Sequence, residues 1–326
     1  MNMNIYFAPL EGITGYVFRN EYNRLFSGVD KFYTPFIATK HTGKYSTKDL
    51  RDILPANNQN ITIVPQLLSN NASDFNYLAD KIADMGYTEI NLNLGCPSPT
   101  VTTKKKGAGF LEYPDELDRM LDEIFKNASY HISVKTRIGV SDPTEFRKLL
   151  SIYNRYPISE LIIHPRLLES MYNGKPNLDW YSYAYNNSLN NVCYNSDIKN
   201  VGDCDKITAM FNNTTSVMIG RGILTDPLLP ERIKGDVSKE VSKRDAELEK
   251  IRKYHNGVYE AYVDYMSGDK NVLFKMKEIW KYLIENPVFN KDSADNFIEK
   301  NLKAIYKCNT VREYNEVVDA IFINAL

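Results

Sequence analysis

The chain has 326 residues, 43% of them hydrophobic, with 40 Lys and Arg against 41 Asp and Glu. This length fits a barrel of about 250 residues followed by a smaller unit. The balanced charge excludes steering of nucleic acid by the net field, so such binding would need a local basic patch. The four cysteines form no CxxC pair, which argues against a zinc site or a disulfide framework and favours a reducing cytosol.

The N-terminus has no signal-peptide pattern, and no apolar run reaches the roughly 20 residues needed to cross a bilayer. We therefore expect a cytoplasmic protein without a membrane partner, and we expect a monomer.

Eight short apolar runs, rich in β-branched and aromatic residues, alternate with helical patterns. Near-continuous apolar runs are typical of parallel strands that are buried on both faces. The count of eight favours an α/β fold of the (β/α)8 TIM barrel type, although an open doubly wound sheet has the same pattern. The predicted strands are residues 4–10, 31–37, 61–67, 89–95, 131–138, 160–166, 191–198 and 216–222. The clearest helices between them are residues 73–85, 114–128 and 145–156.

The C-terminal part of the chain has only helical periodicity. We predict a C-terminal all-α helical bundle domain over residues 243–326, joined to a barrel domain over residues 1–236 by a polar linker at residues 235–243. Its predicted helices are residues 246–266, 270–285, 293–306 and 310–323.

Polar residues end nearly every predicted strand, and the carboxyl ends of barrel strands form the active site in this fold. Residues two apart lie on one face of a strand. A Lys, a His and amides on one face suit a planar ring that becomes anionic on reduction, so flavin is the candidate, with Lys135 stabilising its charge. The pairs are Asn91 and Asn93, Lys135 and Arg137, His164 and Arg166, and Asn195 and Asp197, with Gln66 ending the third strand.

The turn Gly220-Arg221-Gly222 follows the eighth predicted strand and precedes a predicted short helix at residues 226–233. The loops after strands 7 and 8 are the usual phosphate site of this fold, so the monoester of FMN would fit there. No GxGxxG follows a strand, which argues against a Rossmann-bound dinucleotide.

Cys96 follows the fourth predicted strand, before a proline and a lysine-rich segment. Its position leaves both nucleophile and general acid open, but no His–Asp pair is visible to activate it for hydrolysis. We interpret the other cysteines and His41, His131 and His255 as structural.

Six segments in this order resemble the tRNA-dihydrouridine synthase family. They are APLEGITGYVFR, NLNLGCPSPTVTTKKKGAGFL, SVKTRIG, IIHPR, NSDI and VMIGRGIL. The resemblance runs from Ala8 to Pro227, and the helical tail is similar in kind to the RNA-binding bundle of that family.

The resemblance implies an FMN-dependent oxidoreductase of the CH–CH class that takes electrons from NADPH. Its substrate would be tRNA, in which it reduces the C5–C6 double bond of specific uridines to dihydrouridine. Hydride would pass from FMN N5 to C6, and Cys96 would protonate C5. Removing the base from its stack costs a few kcal/mol, which backbone contacts from the RNA-binding domain (243–326) must offset.

The resemblance also assigns binding residues. Asn93 would orient the uracil. We also expect Arg137 and Arg166 to contact the substrate. Lys104, Lys105 and Lys106 lie on a long Gly-rich segment just after Cys96, so they could close over the substrate and contact its phosphates, or they could form a solvated loop. In the helical tail, Lys270, Lys277 and Lys281 share a face, which is either solvated or, as the family suggests, in contact with RNA. FMN would be held by Ala8, Pro9, Leu10, Gln66, Lys135, His164, Asn195, Ser196, Asp197, Gly220 and Arg221.

Three departures from the family pattern concern binding more than the reaction. Ser196 stands where the family usually has Gly, Leu10 replaces the common Met, and residues 166–172 differ from the usual stretch. Two alternatives stay open: an FMN barrel acting on a free pyrimidine, as in dihydroorotate dehydrogenase, and a non-catalytic RNA-binding barrel. The first would not need the helical tail, and the second would bind tRNA without flavin.

Overall fold

The computed structural model describes residues 3–235, 244–289 and 297–325. Two compact units share the chain. The first comprises Met1–Pro9, Val29–Ile198 and Cys204–Ile219, and it contains every strand that the structure describes. The second comprises Leu10–Gly28, Lys199–Asp203 and Gly220–Leu326. The predicted linker at residues 235–243 lies, apart from Gly235, outside the described residues.

Ten parallel strand segments form the sheet of the first unit. All eight predicted strands are confirmed, and two of them are divided into two segments. The segments are β1 (Asn4–Phe7), β2 (Lys31–Tyr33), β3 (Ile37–Ala38), β4 (Ile63–Val64), β5 (Gln66–Leu68), β6 (Glu89–Leu94), β7 (His131–Arg137), β8 (Leu161–His164), β9 (Val192–Tyr194) and β10 (Ser216–Ile219).

Prolines account for both divisions. Pro35 separates β2 from β3, and Pro65 separates β4 from β5, because a proline cannot donate a ladder hydrogen bond. Each half keeps its partner, since β2 pairs with β4 and β3 pairs with β5.

The strand order closes on itself. Pairing runs from β5 through β6, β7, β8, β9, β10 and β1 to β2, and β2 pairs with β4, which continues through Pro65 into β5. The eight-stranded barrel prediction is therefore confirmed, and the open doubly wound sheet is excluded.

Helices follow most strands, as the periodicity predicted. Pro114 occupies the first turn of α5, where its missing N–H costs nothing, and Leu117, Leu121 and Ile124 are buried on one face. The described helices are α1 (Tyr16–Leu25), α2 (Thr47–Leu50), α3 (Ala72–Asp84), α4 (Pro99–Thr102), α5 (Pro114–Asn127), α6 (Glu145–Tyr153), α7 (Leu178–Asn187), α8 (Val201–Met210), α9 (Arg221–Thr225), α10 (Leu229–Lys234), α11 (Arg244–Tyr265), α12 (Asp269–Leu283), α13 (Phe297–Lys307) and α14 (Val311–Ala325).

Aromatic packing holds the second unit together. Phe18 and Tyr22 of α1, with Phe26 just after it, surround the Tyr254 ring of α11 at centroid distances of 5.3 to 6.2 Å. This is why α1, which comes early in the chain, belongs to the same unit as the C-terminal helices. The start of the helix predicted at residues 293–306 lies outside the described residues. None of the described helices is long and apolar enough to span a bilayer.

Candidate active site

A chain of buried amides links three barrel strands below Cys96. Asn93 Nδ2 donates to Gln66 Oε1 at 2.7 Å, and Gln66 Nε2 donates to Asn91 Oδ1 at 2.7 Å. Asn91 Nδ2 then donates to Ser133 Oγ at 2.9 Å. All four side chains are buried. Three of the polar residues predicted from sequence, Gln66, Asn91 and Asn93, are thus joined to one another.

The Cys96 backbone is held from two sides. Its N–H donates to Asn93 Oδ1 at 2.9 Å, and its carbonyl accepts from the N–H of Ala108 at 3.0 Å. Gly107 passes so close that an added Cβ would lie 2.7 Å from the Cys96 carbonyl oxygen, and its φ is +57°. Cys96 is half-buried, whereas Cys193, Cys204 and Cys308 are buried. It is therefore the cysteine that a ligand can reach.

Lys135 lies on β7, in register with Asn93 on β6. Burial, together with the charge of Arg137, lowers the pKa of Lys135 to about 8. Its ammonium has no hydrogen bond or ion pair within residues 3–235, 244–289 and 297–325. A half-buried ammonium that has no partner among the described residues favours an electron-rich or anionic ligand.

Arg137 and Arg166 hold the loop of residues 167–174 by its backbone. Arg137 Nη1 donates to the carbonyls of Leu167 and Met171, both at 2.7 Å, and its Nε donates to Gly95 O at 3.0 Å. Arg166 donates to the carbonyls of Asn173 and Gly174 at 3.3 and 2.7 Å. Each arginine thus gives two hydrogen bonds to the carbonyls of this loop. The substrate contacts predicted for both stay predictions.

Asn195 and Ala8 connect neighbouring strands. Asn195 Nδ2 donates to Met218 O at 2.8 Å, and the Ala8 N–H donates to Ile219 O at 2.8 Å. Both residues are buried, and Pro9 follows Ala8.

Three predicted cofactor residues belong to the second unit. Leu10 begins a tight turn in which its carbonyl accepts from the N–H groups of Ile13 and Thr14. Gly220 directly precedes α9, and Arg221 is the exposed first residue of that helix.

The sequence of the whole chain places this site in a known family. Residues 6–319 match the family described as dihydrouridine synthase. The chain belongs to the dihydrouridine synthase family.

Similar proteins agree with this family. The chain is 27% identical over 233 residues to the probable tRNA-dihydrouridine synthase 2 of Bacillus subtilis (strain 168), covering 69% of this chain and 70% of the relative. It is 27% identical over 239 residues to the tRNA-dihydrouridine(16) synthase of Cupriavidus necator (strain ATCC 17699 / DSM 428 / KCTC 22496 / NCIMB 10442 / H16 / Stanier 337), covering 71% and 73%. In fold, it is similar to morphinone reductase at a TM-score of 0.50 and 10% identity, covering 72% of this chain and 86% of that chain.

In this family member, the three consecutive lysines after Cys96 have different surroundings. Lys106 Nζ donates to Thr39 O at 3.3 Å, and burial lowers its pKa. Lys105 lies over the Tyr113 ring at 3.9 Å. Lys104 is exposed. Of the three, Lys104 is the most available for a phosphate.

The lysines of α12 also differ in their contacts and exposure. Lys277 donates to the carbonyls of Tyr306 and Cys308 at 3.0 and 2.6 Å, so it holds the end of α13. Lys270 and Lys281 are exposed. The RNA-facing role predicted for this set stays a prediction, with Lys270 and Lys281 better placed for it than Lys277.

Tyr172 was not singled out from the sequence. It is 55% exposed, its ring lies 5.4 Å from the Arg137 guanidinium carbon, and its centroid is 6.1 Å from that of His164. The only sequence signal was its place in a stretch that departs from the family pattern.

Proposed function

We propose that this protein reduces the C5–C6 double bond of uridines in tRNA to dihydrouridine, with FMN as its bound cofactor and NADPH as reductant. Its family supports the reaction. The observation that carries the proposal is the reachable Cys96 thiol, which follows β6 and shares Asn93 with the buried amide chain.

The donor set of the barrel fits a flavin. Lys135 supplies a positive charge that no described protein group neutralises. His164 ends β8 and Asn195 directly follows β9, and both supply polar groups there, while Gln66 supplies an amide at the start of β5. The other residues proposed to hold FMN are Ala8, Pro9, Leu10, Ser196, Asp197, Gly220 and Arg221. When bound and reduced, FMN supplies the hydride that adds to C6 of the uracil.

Cys96 completes the reduction by giving its thiol proton to C5. The C5–H bond forms as the S–H bond breaks, and the sulfur is left as a thiolate until solvent returns the proton. The positive charge of Lys135 interacts with Cys96 and so stabilises the thiolate. Asn93 Oδ1 accepts hydrogen bonds from the backbone N–H groups of Gly95 and Cys96 at 3.1 and 2.9 Å. These bonds fix the position of the Cys96 backbone and therefore of its thiol. This acid role needs no activating base.

Substrate RNA would be held by charge and by stacking. We propose that Lys104, Lys270 and Lys281 contact phosphates and that Tyr172 packs against a base, because exposed aromatic rings are sequence-tolerant platforms for bases. We further propose that residues 1–236 bind FMN and residues 243–326 bind RNA, and that the protein works as a monomer in the cytoplasm.

The proposal is tested by incubating the FMN-loaded protein with unmodified tRNA and NADPH, and then mapping dihydrouridine by mass spectrometry. We expect a gain of 2 Da at specific uridines, because one hydride and one proton are added. Reduction of free uracil or orotate with none in tRNA would refute the proposed substrate. A protein that binds tRNA but not FMN would refute the reaction.

A further inference from the structure

Arg166 faces His164 in a way that fixes the protonation of the imidazole. Arg166 Nη1 lies 3.0 Å from His164 Nε2. A guanidinium has donors only, so the imidazole nitrogen must be the acceptor in this hydrogen bond. An imidazolium would turn an N–H toward the arginine N–H, which is repulsive. His164 is therefore neutral, with its one ring proton on Nδ1.

Arg166 is held firmly enough to impose this state. All five of its N–H groups have acceptors: Nη1 reaches His164 and Ser196 Oγ, the latter at 2.8 Å. Nη2 reaches Asp197 Oδ2 at 2.5 Å and Gly174 O, and Nε reaches Asn173 O. The side chain is also buried, and the Asp197 carboxylate balances its charge. A contact between this guanidinium and RNA would break one of these bonds.

We infer that Arg166 is a positioning residue that acts through His164, in place of the substrate-binding role expected from the sequence. It keeps His164 as a neutral donor through Nδ1–H, the form that suits hydrogen bonding to an electron-rich atom of a bound cofactor. This cofactor role rests on the proposed function, whereas the protonation state of His164 does not.

Ser196 is part of the same arrangement. Because its oxygen accepts from Arg166, its own hydroxyl hydrogen must point elsewhere. No second hydrogen bond of Ser196 Oγ is present among the described residues. Ser196 thus steadies Arg166 while keeping a donor for a ligand.

The protonation state is measured by nitrogen-15 NMR of the full chain, labelled in its histidines and loaded with FMN. The chain has four histidines, and His164→Gln identifies the signal of His164. At neutral pH we expect Nδ1 to be protonated and Nε2 to be bare. A proton on Nε2 in the unaltered protein would overturn the inference, and this result does not depend on any variant folding or on activity toward tRNA.

The positioning role is measured by the affinity for FMN in a double-mutant cycle. Arg166→Met should release Nε2, so that a proton appears there, while Ser196→Ala keeps the proton on Nδ1 because the guanidinium remains. If Arg166 acts through His164, Arg166→Met costs a smaller fold-change in FMN affinity in the His164→Gln background than in the unaltered protein. Losses that add independently would overturn the positioning role. If the unaltered protein binds no FMN, the proposed function and this role fail together, and the NMR result still stands.

Discussion

Replacing Gly107 with alanine should damage activity more than stability. The new Cβ would stand 2.7 Å from the Cys96 carbonyl oxygen and 3.1 Å from Cys96 Cβ, whereas ordinary contact begins at 3.4 Å. The Cys96 carbonyl must therefore move about 0.7 Å away from the new methyl group, and the Cys96 thiol moves with it. The positive φ adds strain of about 1 kcal/mol. Displacements of this size can cost about 10- to 100-fold in rate, which is the loss we expect in kcat.

Gly86→Ala is the matched control. Gly86 also has a positive φ, +97°, but an added Cβ would meet nothing within 4 Å. This variant should lose stability of about 1 to 2 kcal/mol and keep its rate of dihydrouridine formation. Thermal unfolding and single-turnover reduction of tRNA, measured on both variants, separate the two effects. A folded Gly107→Ala protein that turns over within twofold of the original would refute the steric argument.

Three further predictions concern charge and protons. Cys96→Ala should retain FMN but lose about 10²- to 10⁴-fold in dihydrouridine formation, with Cys308→Ala as the unaffected control; normal turnover would exclude Cys96 as the acid. Lys135→Met should weaken FMN binding about tenfold or more in a fluorescence titration, while the exposed Lys148→Met should not; equal affinities would remove Lys135 from the site. Burial lowers the pKa of His255 to about 4 from 6.5. Above about pH 6.5 the histidine is neutral in both the folded and the unfolded chain, and the free energy of unfolding does not depend on it. As the pH falls from 6.5 toward 4, only the unfolded chain takes up the proton, so the free energy of unfolding falls by about 3 kcal/mol in all. Acid unfolding of the second unit should be shallower in His255→Gln, and an unchanged slope would contradict this.

The barrel could be predicted because its strands are short, apolar and regularly spaced. The divisions at Pro35 and Pro65 could also be expected from the residue type, although each strand was predicted to be continuous. Membership of α1 in the second unit could not be predicted. It depends on Phe18 and Tyr22 meeting Tyr254 across more than two hundred residues, and local periodicity carries no such information.

At the site, residue type and strand position predicted where several side chains lie. Cys96, Asn93 and Lys135 were expected at the carboxyl ends of their strands, and they lie there. Arg137 and Arg166 were expected to contact the substrate, and that role stays a prediction. Their hydrogen bonds to loop carbonyls depend on where residues 167–174 fold back, which sequence spacing does not determine.

The amide chain beneath Cys96 has a direction. Asn93 Oδ1 accepts from the backbone, so its nitrogen must donate to Gln66, whose nitrogen must in turn donate to Asn91. Each amide is thus oriented by the one before it, and the first is oriented by the cysteine loop itself. A glutamate at position 66 could accept from Asn93 but would have nothing to give Asn91 unless it carried a proton. In such a protein the placement of the thiol would vary with acidity, and the glutamine removes that dependence by having no proton to lose.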